Sequence, residues 1–287
     1  MWFSPLSGRL ALAQRYGMTL PGKIGARLYQ NYLMPDRLSE YRTILQKIHD
    51  GGYRFVTVCD YATQIRSGGA RENRLCIVRI DVDTDPAGAA QMFEVERDVG
   101  VRSTYYFRLS TIDRPLIERM NDHGSEVGYH CEELSMLVRR LGLRDQAEII
   151  SLYPALRERF HRNLERFRTD AGVAPRTTAA HGDFLNRRVG LNNNAFIDRE
   201  LLDACGIVAE AYEPWLWTRR SARAVDAPAP AWWHRAPETA LSKKPSVLWL
   251  VLHPRYWVRN GWENTREDLS RLEAELSYRW NRVRRIR

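Results

Sequence analysis

Apolar residues recur along this chain at two spacings, three-to-four and two, and the change from one to the other marks out helices and strands. Leu38, Tyr41, Ile44, Leu45 and Ile48 form one helical stripe, capped by Asp36 or Ser39 and stopped at Asp50-Gly51-Gly52. Tyr53–Val58 predicts a strand, Asp60-Tyr61 a turn, and Ser67-Gly68-Gly69 a connector. Leu75–Ile80 is an unbroken apolar strand apart from Arg79, and it runs straight into Asp81-Val82-Asp83-Thr84-Asp85-Pro86. Next come a helix with Ala89, Met92, Phe93 and Val95, a strand Arg102–Phe107, a helix over 114–123 and a strand Ser125–Tyr129. Gly100 and Gly124 stand where those helices reverse through positive φ. Residues 138–172 predict helix with a stripe of Leu152, Leu156, Phe160, Leu164 and Phe167, and Pro154 marks a start or kink. Thr177–Ala180 and Ile207–Glu210 read as strands, with an Asn192-Asn193-Asn194 loop and a helix Arg199–Cys205 between them. Residues 221–245, rich in Ala and Pro, read as a loop anchored by Trp232-Trp233. A buried strand Ser246–Leu252 follows, then a helix capped by Thr265 with a stripe of Leu269, Leu272, Leu276, Trp280 and Val283.

Strand–helix alternation of this kind predicts an α/β fold, a parallel sheet or barrel with helices outside. The expected organisation is an N-terminal helical extension over 1–35, one catalytic-type domain over 36–262 and a C-terminal amphipathic basic helix over 263–287. The extension carries Trp2, Phe3, Tyr29 and Tyr32, with helical spacing at Leu10, Leu12, Tyr16 and at Ile24, Leu28, Tyr32 broken at Pro21-Gly22. It is expected to pack on the domain, with a dimer or membrane contact as the alternative.

Composition adds little until charge is placed. The chain has 44% hydrophobic and 28% charged residues, enough for a sizeable core, and a net charge of +9. Four of the arginines fall in the last eight residues, which suits either a solvated tail or peripheral contact with an anionic membrane surface. Nucleic acid is not an expected partner, because zinc-finger spacing and basic–aromatic repeats are both missing. Cys59, Cys76, Cys131 and Cys205 form no CxxC pair, and no stretch reaches 18 apolar residues, so a reduced, cytoplasmic protein is expected.

The chemistry gathers at strand ends. In a strand Asp81, Asp83 and Asp85 share a face, about 6–7 Å apart. Like charges so close call for a cation, a divalent metal or in part Arg79. The alternative is a solvated turn in which Asp85 caps a helix with Pro86 in its first turn. Three of the seven histidines, His130, His181 and His253, also end predicted strands, and in a parallel α/β barrel those ends meet at one face. One Asp and two His suit a first-row divalent ion, most simply zinc, and Asp83, His130 and His181 supply that set. Asp81 is then placed to accept a proton from water, Arg79 to keep it ionised and His253 to protonate a leaving group.

These residues sit in ordered motifs. Asp81-Val82-Asp83, Gly124-Ser125-Glu126-Val127-Gly128-Tyr129-His130, His181-Gly182 and Leu250-Val251-Leu252-His253-Pro254, with the strand Thr104–Phe107, resemble the motifs of NodB-type polysaccharide deacetylases of the carbohydrate esterase family 4 superfamily. The resemblance spans roughly residues 36–260. It implies a distorted (β/α)7-type barrel, metal-dependent removal of N- or O-acyl groups from sugars, Asp81 as base, Asp83 and His130 as metal ligands and His253 as acid. Two departures point to a divergent branch found among surface-polysaccharide biosynthesis proteins. The usual second histidine is replaced by Leu134, and Ala180-His181-Gly182-Asp183 stands where Arg-Pro-x-Gly is usual. His181 is the expected replacement ligand, with Glu132 or Glu133 as alternatives; both acids are equally placed to cap a helix. Glu132, Tyr129 and Trp257 are expected to contact substrate: an acylated sugar, a nucleotide sugar or a lipid-linked sugar. The competing functions are a catalytically inactive glycan-binding or regulatory protein on the same scaffold and a barrel amidase for a non-sugar C–N bond.

Overall fold

The computed structural model describes residues 20–68, 74–217 and 220–286. The expectations resting on Trp2, Phe3, Leu10, Leu12, Tyr16, Gly69 and Arg287 lie outside the described residues. Pro21 and Gly22 lie in the helix Leu20–Leu28, and the stretch before it, on which the expected break depends, is outside the described residues.

Among the described residues nine strands form one sheet. They are β1 Arg54–Phe55, β2 Leu75–Val82, β3 Thr104–Phe107, β4 Glu126–Cys131, β5 Thr177–Ala180, β6 Ala209–Glu210, β7 Ser221–Asp226, β8 Trp233–Arg235 and β9 Val247–Leu252. The order is β6-β5-β4-β3-β2-β9-β7-β8, with β1 beside β2. Every pairing is parallel except β7 with β8. The sheet curls into a half-barrel wrapped by helices, the barrel-like α/β class expected, with β6 and β8 as its two ends.

β2 is the axis of this arrangement. Its eight residues are all buried. β9 runs along one edge from Leu75 to Ile80, while β1 takes the first two residues of the other edge and β3 the last four. The two-residue period divides the strands into two faces. Cys76, Val78, Ile80 and Val82 face the main core under the helices, with Tyr105, Phe107, Val127, Tyr129, Leu248, Leu250 and Leu252 from neighbouring strands. Leu75 and Ile77 face the inside of the curl, where Tyr106, Ala179, Ala209 and Trp249 form a smaller cluster. Arg79 and Asp81 continue that inner face and make its upper end polar.

Local chemistry explains the elements. Asp85 accepts from the Gly88 N–H at 2.9 Å and caps the helix Pro86–Val99, which Gly100 ends at φ +70. The strand expected over Tyr53–Val58 shrinks to two residues because the Thr57 hydroxyl accepts from Asp60 N at 3.0 Å and starts a helix, Val58–Arg66. The helical stretch expected over 138–172 is three helices, Glu133–Leu141, Gln146–Ser151 and Tyr153–Ala171. Gly142 at φ +65 and the Asp145 cap interrupt it, and Pro154 sits in the first turn of the third helix. The supposed loop over 221–245 contains β7, β8 and a helix Pro237–Leu241. The last helix begins at Gly261 and runs to Ile286, so Thr265 lies inside it and does not cap it.

Gly128 keeps the inner face closed. A Cβ there would collide with the Tyr106 ring and lie 2.9 Å from the Thr177 carbonyl oxygen. Gly128→Ala is expected to cost about 1–3 kcal/mol of stability through overpacking, read from the midpoint of urea unfolding.

Candidate functional site

Four strands deliver the site. β2 carries Asp81 and leads to Asp83, β4 carries His130, β5 leads to His181 and β9 leads to His253. The carboxylate of Asp81 is buried and accepts both Nε and Nη2 of Arg79, at 2.7 and 2.8 Å. Arg79 is itself buried, its guanidinium 4.4 Å from the centre of the Tyr212 ring and 5.2 Å from that of Tyr106. Burial opposes charge on Asp81, but Arg79, His130 and His253 outweigh it and hold the carboxyl below its usual range. Arg79 thus positions and ionises Asp81 from below and is not itself presented to the site's mouth.

Asp83, His130 and His181 meet beside it. Asp83 Oδ1 lies 3.2 Å from His130 Nε2 and 3.1 Å from His181 Nδ1, and the two imidazole nitrogens are 3.4 Å apart. His130 Nδ1 donates to the Ala179 carbonyl at 2.8 Å, which turns a lone pair on Nε2 toward the carboxylate in the neutral ring. Two acceptors cannot face each other at that distance without a proton or a cation between them. The donor set suits a divalent ion: one ligand atom from each residue, all within 4.8 Å of one another. Burial would push the Asp83 carboxyl up, but the neighbouring His181 and His130 pull it well below the ordinary value.

His253 stands on the other flank. Its Nδ1 lies 2.7 Å from Asp226 Oδ1, and its backbone N–H donates to Asp226 Oδ2 at 2.7 Å. Burial disfavours the imidazolium, yet Asp226 outweighs it and His253 is pushed up to about 10. Trp257 Nε1 donates to the same Asp226 oxygen at 2.9 Å.

Two expected substrate contacts are therefore corrected. Trp257 is fully buried between Tyr41 and Trp233, where it holds Asp226. Tyr129 alternates with His130 along β4 and so faces the outer core, packed on Phe160 and Phe167 with its hydroxyl donating to Glu133 at 2.6 Å. That bond and one from Asn163 at 2.9 Å commit buried Glu133 to the core, away from the three-residue cluster. Leu134 is also core. Glu132 is bound by Arg108, at 2.7 and 3.2 Å, and Arg108 also donates to the Asp83 carbonyl at 3.0 Å. Glu132 lines a pocket of about 330 Å³ that reaches His181 but not Asp81 or His253, and that Arg108, Arg139, Arg271 and Leu272 also line.

Sequence reasoning missed three residues here. Asp226 hid in a stretch whose small Ala222 and Ala224 gave no apolar signal, although the burial of β7 alternates. Arg108 directly follows β3 and was discoverable by the same strand-end rule that found the histidines. Asn193 donates to the His181 carbonyl at 2.7 Å, and nothing local marks it apart from its neighbours.

No family model and no curated protein matches this sequence. Solved structures similar to it include IcaB from Ammonifex degensii, at 16% identity and a TM-score of 0.41 over 59% of this chain and 73% of that one. The deacetylase PplD of Streptococcus pyogenes, in complex with acetate, is similar at 7% identity and a TM-score of 0.43, over 81% of this chain and 85% of that one. A third is BA3943 from Bacillus anthracis, a CE4 family pseudoenzyme, at 12% identity and a TM-score of 0.39, over 71% of this chain and 63% of that one. Among the described residues no helix is long and apolar enough to cross a membrane.

Proposed function

We propose that the protein is a metal-dependent hydrolase that removes an N-acyl group, acetyl or formyl, from a sugar or glycan precursor. The observation that carries this reading is the meeting of Asp83, His130 and His181 within 4.8 Å of one another, with Arg79-bound Asp81 3.8 Å from His130 and Asp226-bound His253 at the end of the neighbouring strand β9. A divalent cation, zinc or another first-row ion, held by those three residues would supply Lewis-acid activation of water and of the acyl carbonyl. Asp81, kept as carboxylate by Arg79, accepts the proton that water gives up. His253 carries its proton on the nitrogen not engaged by Asp226 and delivers it to the departing amine. Arg108 fixes Glu132 at the mouth, where the pair is placed to meet sugar hydroxyls. A free, nucleotide-linked or lipid-linked sugar and a cytoplasmic site of action fall within this reading.

The test is metal analysis of the purified protein together with acetate and formate release from a panel of N-acylated sugars. One divalent ion per chain and release abolished by Asp81→Asn are expected. Stoichiometric metal without release, from any sugar or from small cyclic amides, favours instead an inactive glycan-binding protein, a reading that the substitution at Leu134 motivates. Absence of metal at saturating concentrations ends the hydrolase reading and leaves the inactive binding protein standing.

A further inference from the structure

The last helix, Gly261–Ile286, lies on the domain by one face only. Asn264, Ala274 and Tyr278 are buried there, and Tyr278 donates to the Leu143 carbonyl at 3.0 Å. The opposite face carries the apolar stripe. Among the described residues it is open to solvent: Trp262 is 77% exposed, Leu269 62% and Trp280 60%, with Leu272, Leu276 and Val283 similar. An apolar helix face normally seeks a core, so a stripe about six turns long left outward calls for a partner.

Two features point to its chemistry. The stripe continues into the segment Tyr29–Leu33: the Tyr32 hydroxyl meets Thr265 Oγ1 at 2.5 Å, and Leu28, Tyr29, Tyr32 and Leu33 are exposed around it. The combined surface therefore holds two tryptophans and two tyrosines, ring systems with a polar edge that favour a lipid–water boundary over a dry interface. Charge supplies the second feature. Residues 276–286 contain Arg279, Arg282, Arg284 and Arg285 and no acidic residue. Arg279 is largely exposed while it pairs with Glu275 at 2.7 Å, and Arg284 lies over the Trp280 ring at 5.3 Å. An apolar stripe with aromatic members and an arginine rim is the pattern of a helix that lies in the plane of a membrane surface.

We propose that this helix docks the protein on an anionic lipid surface, Leu269, Leu276 and Trp280 entering the headgroup layer and the arginines meeting phosphate. Leu272 belongs both to the stripe and to the lining of the pocket at His181, so docking brings that pocket to the membrane. The proposal rests on the helix and not on the metal cluster, so its failure leaves the proposed hydrolysis standing.

Flotation of the full chain with phosphatidylcholine vesicles, with and without phosphatidylglycerol, tests it. Binding to the anionic vesicles alone, weakened by salt, is expected. Arg279→Ala with Arg284→Ala is expected to weaken partition about thirtyfold, from about 1 kcal/mol per arginine near an anionic surface. Leu269→Glu, Leu276→Glu and Trp280→Glu together are expected to abolish it while circular dichroism stays unchanged, because the packed face is untouched. Equal binding of wild type and that triple variant overturns the proposal, as does failure of the wild type to float. A wild-type dimer in sedimentation equilibrium that the triple variant dissociates also overturns it, by assigning the stripe to a second copy of the chain.

Discussion

Asp83→Ala is expected to abolish binding of a divalent ion and to lower acyl release by at least about a thousandfold, while the protein stays folded. The size follows from the several kilocalories that a Lewis acid contributes to a barrier, with about 1.4 kcal/mol per decade of rate. Asp83 Oδ1 is the atom that both His130 Nε2 and His181 Nδ1 approach, so its loss removes the shared corner of the triad. The fold is expected to survive because Asp83 follows the last residue of β2 and contributes nothing to either core cluster. A readout independent of activity is thermal shift. Metal at a hundred times its dissociation constant stabilises a binding protein by about 2.7 kcal/mol. The wild type should show that shift and Asp83→Ala should not. Retained affinity in the variant would remove Asp83 from the ligand set and with it the reading of the three residues as one site.

Asp226→Asn is expected to lower the rate about a hundredfold at neutral pH and to move the alkaline limb of the pH–rate profile downward. Asp226 accepts from the His253 ring, from the His253 backbone N–H and from Trp257 Nε1, and it is the reason His253 stays charged despite burial. With His253 raised to about 10, activity that needs its proton persists across neutral pH and falls as pH rises through about 10. An asparagine keeps the shape but removes the charge, so burial then dominates and the limb falls toward or below the ordinary imidazole value of about 6.5. The hundredfold loss is the lower range for a displaced general acid. The same shift is a stability statement. A folded value above the unfolded one stabilises fully below about pH 6.5, and that stabilisation fades as pH rises toward 10. The wild type should therefore lose more stability than Asp226→Asn between neutral pH and pH 10. An unchanged pH profile in the variant would show that His253 does not act as the acid.

The candidate site was legible in sequence as far as it depends on what each residue is and which strand it ends. Asp81, Asp83, His130, His181 and His253 each carry that information locally: an apolar run, then a ligand-type side chain. Arg79 was legible as a partner because residues two apart in a strand share a face, and its bidentate bond to Asp81 follows from that geometry. The same rule, applied to β4, places Tyr129 opposite His130 and would have excluded it from the site. Leu134 and Glu133 follow at the start of the helix Glu133–Leu141, where packing on Asn163 and the core decides what they touch.

Other features depend on distant partners. Asp226 reaches His253 only because β7 lies beside β9, and the pairing of β7 with β8 changes register at Val225/Asp226. Neither the pairing nor the register shift is encoded in the run of residues around Asp226. Arg108 binds Glu132 because β3 lies next to β4, an adjacency set by the whole sheet. The stripe on the last helix shows the limit most plainly. Its periodicity, from Leu269 to Val283, predicted an amphipathic helix, but periodicity fixes only that two faces differ. Which face meets the domain was decided in three dimensions, by Tyr278 and Ala274 packing inward, and the apolar face was left outside. Sequence by itself therefore determined most of the elements, which side chains end the strands and the barrel-like α/β class, because these follow from short-range geometry and side-chain type. Tertiary structure decided who faces whom, because strand order, register and the docking of a helix are settled by contacts between residues far apart in the chain.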